Sequence, residues 1–424
     1  MAPKRPNFLS LIHSLRAPVM STNLLASPRR CWAEVRGRVL ATGGVAVMTA
    51  ARAVPKRAPT YSTARSHQRG TTHAPATGGI APATVDSASY LTELLQRTDR
   101  TSYLISHFYP RAHHRLPYLG LRAFNAELAQ IRESVSNELL GRIRVGWWRD
   151  AIRALYAAVE HARREEVGMD DGGGSGSGRR RAPKIPAHPV LHALHAGLID
   201  PVLRDTPSGG LLHSEHHLQA LIGAREDDLA SDATAPTLEA VERYAERTAS
   251  RLTYVELDLL GVRDAQLDEV LSHIGKARGL ANLLASLPFH ARMVRIANAP
   301  AVPTSRPRRL TLPQEYLLAR NVVEEEVYRL GADAPGFRDA VFDTATRAND
   351  YLFSARSALA RATFPTPSGK LPPLVYPALL GAVPAQDYLK RLERANFDPF
   401  EPSLQQAGWR LSWALWRASR TGAF

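Results

Sequence analysis

The sequence predicts an all-α protein, and three observations carry that prediction. From Asp86 onward apolar side chains recur at spacings of three and four, the period of a helical face, in segment after segment. No stretch alternates apolar and polar residues as a half-buried strand would. The apolar run Ser272–Arg292 falls in a window, between Glu269 and Glu315, that holds no Asp or Glu but seven Lys and Arg. Its Ile274, Ala277, Ala281 and Leu284 share one face, with Leu280, Leu283 and Leu287 beside it, so it reads as a buried helix that ends at Pro288.

In chain order, residues 1–85 come first as a leader. They carry twelve Lys and Arg against the single acid Glu34, and so hold most of the formal net charge of +14. Scattered Arg, Ser, Ala and Thr without a Lys-rich block fit a mitochondrial transit peptide better than a nucleic-acid-binding arm, so no nucleic-acid partner is expected. The uncharged run Val39–Ala51 is too short to span a bilayer. The only cysteine, Cys31, lies in this leader, which leaves no disulfide or thiolate metal site for the rest.

Residues 86–424 read as one helical domain. Helices are expected at Ser89–Arg97, Thr101–Tyr109, Leu116–Val135 and Asn137–Ala162, followed by a flexible Gly/Ser-rich insert at 170–183. His188–Ile199, Leu211–Ala224, Leu238–Leu260 and Asp264–Leu287 resume the pattern. Pro300–Pro313 is a loop, and Phe337–Arg361 and Leu371–Arg394 are further helices.

Several segments carry a family resemblance. Gly275, Gly279, Ala281, Asn282, Leu283, Ala285, Ser286, Phe289 and His290 follow, without a gap, the second aspartate-rich helix of the squalene and phytoene synthase family, whose pattern is roughly G-x-x-x-Q-x-T-N-I-x-R-D-x-x-E-D. Tyr118–Gln130 resembles the first, L-R-A-x-D-x-x-E-D, with Leu121, Arg122 and Ala123 matching. Arg144–Tyr156, His188–Leu194, Arg243–Gly261 and Arg309–Val323 resemble other family segments in the expected order. The resemblance implies an isoprenoid synthase-like helical fold around a central cavity.

At the acid positions the chain departs from the family. Asn125, Leu128 and Ala129 stand in the first motif, and Ser286, Phe289 and His290 in the second. Ionising an allylic diphosphate requires Mg²⁺ held by carboxylates, and these six cavity-facing positions supply none. The resemblance therefore implies no catalytic residue, no metal and no cofactor. Glu127 lies about 200° round the helix from Asn125 and should point elsewhere. Glu226, Asp227 and Asp228 read as a solvated acidic face. The family's close pair of tyrosines is reduced here to Tyr244, followed by Glu246.

Within the family, LRAFNAELAQIRESVS, SHIGKARG and FDPFEPSLQQ resemble a mitochondrial branch, the complex I assembly factor 6 proteins, on the matrix side of the inner membrane. The resemblance implies a non-catalytic protein whose partners are complex I subunits or assembly intermediates. Two alternatives stay open: an active head-to-head prenyltransferase, and an isoprenoid- or lipid-binding protein without chemistry.

Other clusters have blander readings. His188, His192 and His195, like His213, His216 and His217, lack a carboxylate companion and read as capping or surface residues. Trp409, Trp413 and Trp416 fall on one helical stripe flanked by Arg410 and Arg417. That stripe fits core packing, and it also fits peripheral membrane contact, with guanidinium groups reaching headgroups.

Overall fold

The computed structural model describes residues 85–135, 137–166, 183–206, 208–230, 235–291, 308–364, 366, 369–406 and 408–424. The expected leader, apart from Val85, and the expected insert, apart from Pro183, lie outside these. Among the described residues every regular element is helical and there is no strand.

Four helices open the fold: α1 (Val85–Thr98), α2 (Arg100–Ile105), α3 (Ala112–Ser134) and α4 (Glu138–Glu166). After them come α5 (Pro189–Ile199), the single turn α6 (Pro201–Arg204) and α7 (Glu215–Ala230). Helices α8 (Leu238–Ala245) and α9 (Arg251–Leu259) are joined without a break by a π turn, Glu246–Ser250. The long α10 (Ala265–His290) is followed by α11 (Gln314–Ala319), α12 (Glu324–Leu330), α13 (Phe337–Arg361), α14 (Tyr376–Leu379), α15 (Ala382–Arg394) and α16 (Trp409–Thr421).

Helix α10 is the axis of the core. Its N-cap is Asp264, whose carboxylate accepts from the backbone N–H groups of Gln266 and Leu267. Ile274, Ala277, Leu280, Ala281, Leu284 and Leu287 are all buried against α13, α8, the π turn and α15. Small residues let the π turn come close. A Cβ on Gly275 would lie 2.4 Å from the Ser250 Cα, and one on Gly279 would lie 2.5 Å from the Ala245 Cβ. Gly275→Ala should therefore force the two helices apart and destabilise the protein by about 1–3 kcal/mol. Gly146→Ala, in α4 with nothing within 4 Å of the new methyl, should stabilise it by about 0.5–1 kcal/mol. Thermal unfolding of the two variants side by side checks the contrast, and equal midpoints would contradict it.

Ionic links buried in the apolar interior tie the helices together. Arg122 of α3 pairs with Glu256 of α9, and each side chain is 2% exposed. Arg278 of α10 donates to Ser102 Oγ at 2.9 Å and stands 3.6 Å from Asp99, the residue that caps α2. Tyr118 and Tyr109 pack beside this network, their ring centroids 4.3 Å apart. Burial raises the Glu256 carboxyl against the pull of Arg122 and Arg278, while Glu256 in turn holds Arg122 charged despite its own burial.

Several expectations are corrected here. Helix α10 runs past Pro288 to His290, because Ala291 N–H still bonds the Leu287 carbonyl at 2.8 Å and closes the last turn. Helix α3 starts at Ala112, before the expected Leu116, and carries Pro117 inside it, where the missing N–H removes one i→i−4 bond. The expected helix 371–394 is split into a 3₁₀ turn, α14 and α15. The expected helix 211–224 begins instead as a 3₁₀ turn, Gly210–His213, with the α-helix from Glu215.

Candidate functional site

The positions that the resemblance sets against the family's acids stand on α3 and near the end of α10. Asn125 does not present a free amide, since its Oδ1 accepts from Arg225 Nη2 at 3.1 Å. The same guanidinium donates through Nη1 to Tyr244 Oη at 2.6 Å and lies 5.7 Å from that ring's centre. Arg225 reaches inward from α7, and Asp228 follows it one turn on. Asp228 Oδ1 accepts from Arg309 Nη1 at 2.9 Å and lies 3.9 Å from Arg132 Nη1 of α3, which also donates to the Asp228 backbone carbonyl.

This network reaches α10 by two routes. The Arg309 backbone N–H bonds the His290 carbonyl at 3.4 Å, and Glu133 of α3 lies 3.7 Å from His290 Nδ1. Burial first, then Arg309 and Arg132, lower the His290 imidazole to about 3, so it is neutral and its approach to Glu133 is not an ion pair. Burial would raise Asp228, but Arg309, Arg132 and Arg225 outweigh it and hold the carboxyl below its usual range.

The remaining aligned positions are apolar or turned inward. Leu128 is 1% exposed in the core, and Ala129 has no polar side-chain atom. Ser286 Oγ donates to its own helix at the Leu283 carbonyl, 2.9 Å away, and Phe289 sets its ring edgewise against His290. The Mg²⁺ that the resemblance implies for catalytic members does not fit this arrangement. Of the two inward carboxylates, Asp228 is already bridged by two guanidinium groups and Glu133 stands 3.9 Å from one of them, the amide oxygen is held by a third, and three cations thus face two anions. Among the described residues no three His, Cys, Asp or Glu side chains group as a metal site.

The acidic run of α7 is thus not one solvated face, which corrects the expectation for it. Asp227 is exposed and pairs with Arg247 at 2.5 Å, and Glu226 pairs with Arg149, but Asp228 turns into the interior to bind Arg309. Glu127 accepts from Tyr90 Oη at 2.9 Å and stands 3.5 Å from His188, facing α1. His188 caps α5 through Nδ1, and His216 Nδ1 bonds the His213 carbonyl. Glu246 opens the π turn and accepts from Tyr254 Oη at 2.7 Å and Ser272 Oγ at 2.8 Å.

Sequence reasoning missed Arg132, Arg225 and Glu133. One signal was available: Arg132 stands seven residues after Asn125, two turns along the same face.

Three histidines couple this interior to pH. His290 and His217 are lowered to about 3 and His114 to about 4, burial being the first cause in each. Unfolded imidazoles titrate near 6.5, so between that value and the folded ones the unfolded chain binds more protons. Stability is therefore full above pH 6.5 and falls as pH drops towards 4, by up to ~1.4 kcal/mol per pH unit for each such group. Urea unfolding at pH 7 and pH 5 measures the slope. His290→Gln should reduce it, and an unchanged slope would contradict the placement of His290.

At the C-terminal end, α16 buries Leu411, Leu415 and Ala418. The indoles are not its core face: Trp409 is 78% and Trp413 46% exposed, and Trp416 is half-buried. Arg410 lies 5.8 Å from the Trp409 ring and Arg417 5.3 Å from the Trp413 ring. Among the described residues no helix is long and apolar enough to cross a membrane.

Comparison with known proteins places these features. Residues 95–417 match the family model described as squalene/phytoene synthase. The chain is 31% identical over 335 residues to rat "NADH dehydrogenase (ubiquinone) complex I, assembly factor 6", covering 79% of this chain and 82% of that protein. The human protein of that name is 30% identical over 317 residues, covering 75% and 77%. A Dictyostelium discoideum homologue is 22% identical, covering 75% and 73%. Among solved structures, a dehydrosqualene synthase in complex with ligand superposes with a TM-score of 0.54 at 15% identity, covering 79% of this chain and 96% of that one. A squalene synthase from Alicyclobacillus acidocaldarius gives 0.50 at 14%, covering 74% and 96%. These two show the helical fold.

Proposed function

The chain belongs to the squalene/phytoene synthase family, and from that premise we propose that it works without prenyl-transfer chemistry, in the assembly of mitochondrial respiratory complex I. The observation that carries the non-catalytic part is the Arg225–Asn125 and Arg309–Asp228–Arg132 network. It lies where catalytic members would gather Mg²⁺ round carboxylates, and its cations exceed its anions. A metal arriving there would meet guanidinium groups, and a diphosphate leaving group would forgo the several kcal/mol of charge stabilisation that bound metals supply. The assembly role is supported by the rat and human relatives, which carry that role in their names over three quarters or more of their length.

On this reading the leader, residues 1–85, directs import, residues 86–424 are the working domain, and the protein acts on the matrix side of the inner membrane. Its partners are complex I subunits or assembly intermediates. Asn125, Leu128, Ala129, Ser286, Phe289 and His290 are then the remains of a metal site rebuilt as protein interior.

Incubating the purified protein with farnesyl or geranylgeranyl diphosphate and Mg²⁺ tests the non-catalytic part. No diphosphate release above buffer and no head-to-head product are expected. Metal-dependent release that Asp228→Asn abolishes would restore the enzyme reading.

A further inference from the structure

Helix α16 presents to solvent what most surface helices hide. Its buried stripe is satisfied by Leu411, Leu415 and Ala418, so Trp409 and Trp413 are surplus to the core. From Pro402 to Phe424 the chain has three arginines and no acid. The two exposed indoles each carry a guanidinium alongside, Arg410 and Arg417.

The neighbouring elements add to this charge. Lys390 of α15 has Arg356 of α13, Arg417 of α16 and Arg394 of its own helix close enough to act on its charge. Burial first, and then these three arginines, lower the Lys390 ammonium, against only Asp387 on the other side. Asp387 is itself held by Arg391 at 3.2 Å. Glu393 lies in the same group, its carboxyl raised by burial against the pull of Arg394 and Lys390. On α13, Phe353 stands one turn before Arg356 and is 57% exposed.

We propose that the α16 face carrying Trp409, Arg410, Trp413 and Arg417 is the surface by which the protein sits on an anionic phospholipid bilayer, with Lys390 and Arg394 beside it meeting lipid phosphates. The physics favours lipid over a protein partner. Indole is the side chain that settles at the headgroup level, where its ring is apolar and its N–H is wet. Arginine beside it lays its stem on the apolar side and its charge among phosphates. A helix of this kind lies in the interface plane rather than crossing it. Crowded cations with few acids among them are relieved by a layer of phosphates, each basic group near an anionic surface contributing about fivefold to binding. This docking does not depend on the assembly role, and vesicles contain no complex I, so failure of one reading leaves the other standing.

The test is flotation of the full chain with phosphatidylcholine vesicles, with and without cardiolipin. Binding should require cardiolipin and weaken as salt rises. R410A/R417A should weaken it roughly thirtyfold, W409A/W413A should weaken it as well, and both should unfold at the wild-type temperature. L139A/I143A, which trims another exposed apolar stripe on α4, should bind as wild type does.

Equal binding by wild type and both α16 variants would overturn the proposal. So would loss of binding by the alanine variants only together with a fall in unfolding temperature, if R410E/R417E, at exposed positions, unfolds at the wild-type temperature and binds as wild type does. So would an absence of vesicle binding while W409A/W413A still releases the protein from mitochondrial membranes, which would point to a protein partner. In wild type, bromine on the upper acyl chain should quench indole fluorescence, and W409F/W413F should remove most of that quenching. Quenching that survives the pair would also overturn it.

Discussion

Glu256→Gln lowers the unfolding free energy by about 3–5 kcal/mol, the usual consequence of removing one partner of a buried ion pair. Arg122 is 2% exposed and would keep its charge with no carboxylate beside it except the more distant Asp99, already engaged by Arg278. At about 2.1 cal/mol/K of unfolding entropy per residue, each kcal/mol is worth roughly 1.4 °C in a helical domain of about 340 residues, so a fall of about 4–7 °C is expected. Replacing both partners, R122M/E256M, should recover most of the loss, because two apolar side chains of similar volume carry no stranded charge. Urea midpoints for the single and double variants decide it. A single variant as stable as wild type would show that the pair is not held as described.

The second large effect is at Asp228. Asp228→Ala removes the anion that Arg309 and Arg132 share, with side chains only 15% and 8% exposed. Because Asp228 itself retains 20% exposure, the expected loss is smaller, about 2–4 kcal/mol. There is a specific signature. The vacated position faces two guanidinium groups, so phosphate or diphosphate should raise the melting temperature of the variant more than that of wild type, by restoring a charge-assisted contact. Equal shifts in both proteins would mean that the guanidinium groups do not converge there.

Much of the fold was legible in the sequence because long amphipathic helices state their period many times over. Phe337–Arg361 was bounded to the residue, and the apolar face of α10 was read correctly from Ile274 to Leu287. The helices α11 and α12, six and seven residues long, were missed because two turns contain too few repeats to show a period. The π turn at Glu246–Ser250 was invisible for a related reason: it inserts one residue into a helix without changing its composition.

The site was legible only in outline. Asn125 and His290 could be picked out by their place in a motif. Their partners could not, because Arg225 lies 100 residues from Asn125 in the chain and reaches it from another helix. Asp228 shows the limit of composition most clearly. Its neighbour Asp227 is exposed, and one residue's rotation, about 100°, carries Asp228 into the interior. An acidic run says that charge is present and leaves its direction to the packing.

The most direct test of the account is deletion of the gene, followed by native-gel resolution of the respiratory complexes and a profile of cellular isoprenoids from the same cells. The account predicts loss of assembled complex I, unchanged isoprenoids and recovery by the full-length chain. Intact complex I with altered isoprenoids would contradict it.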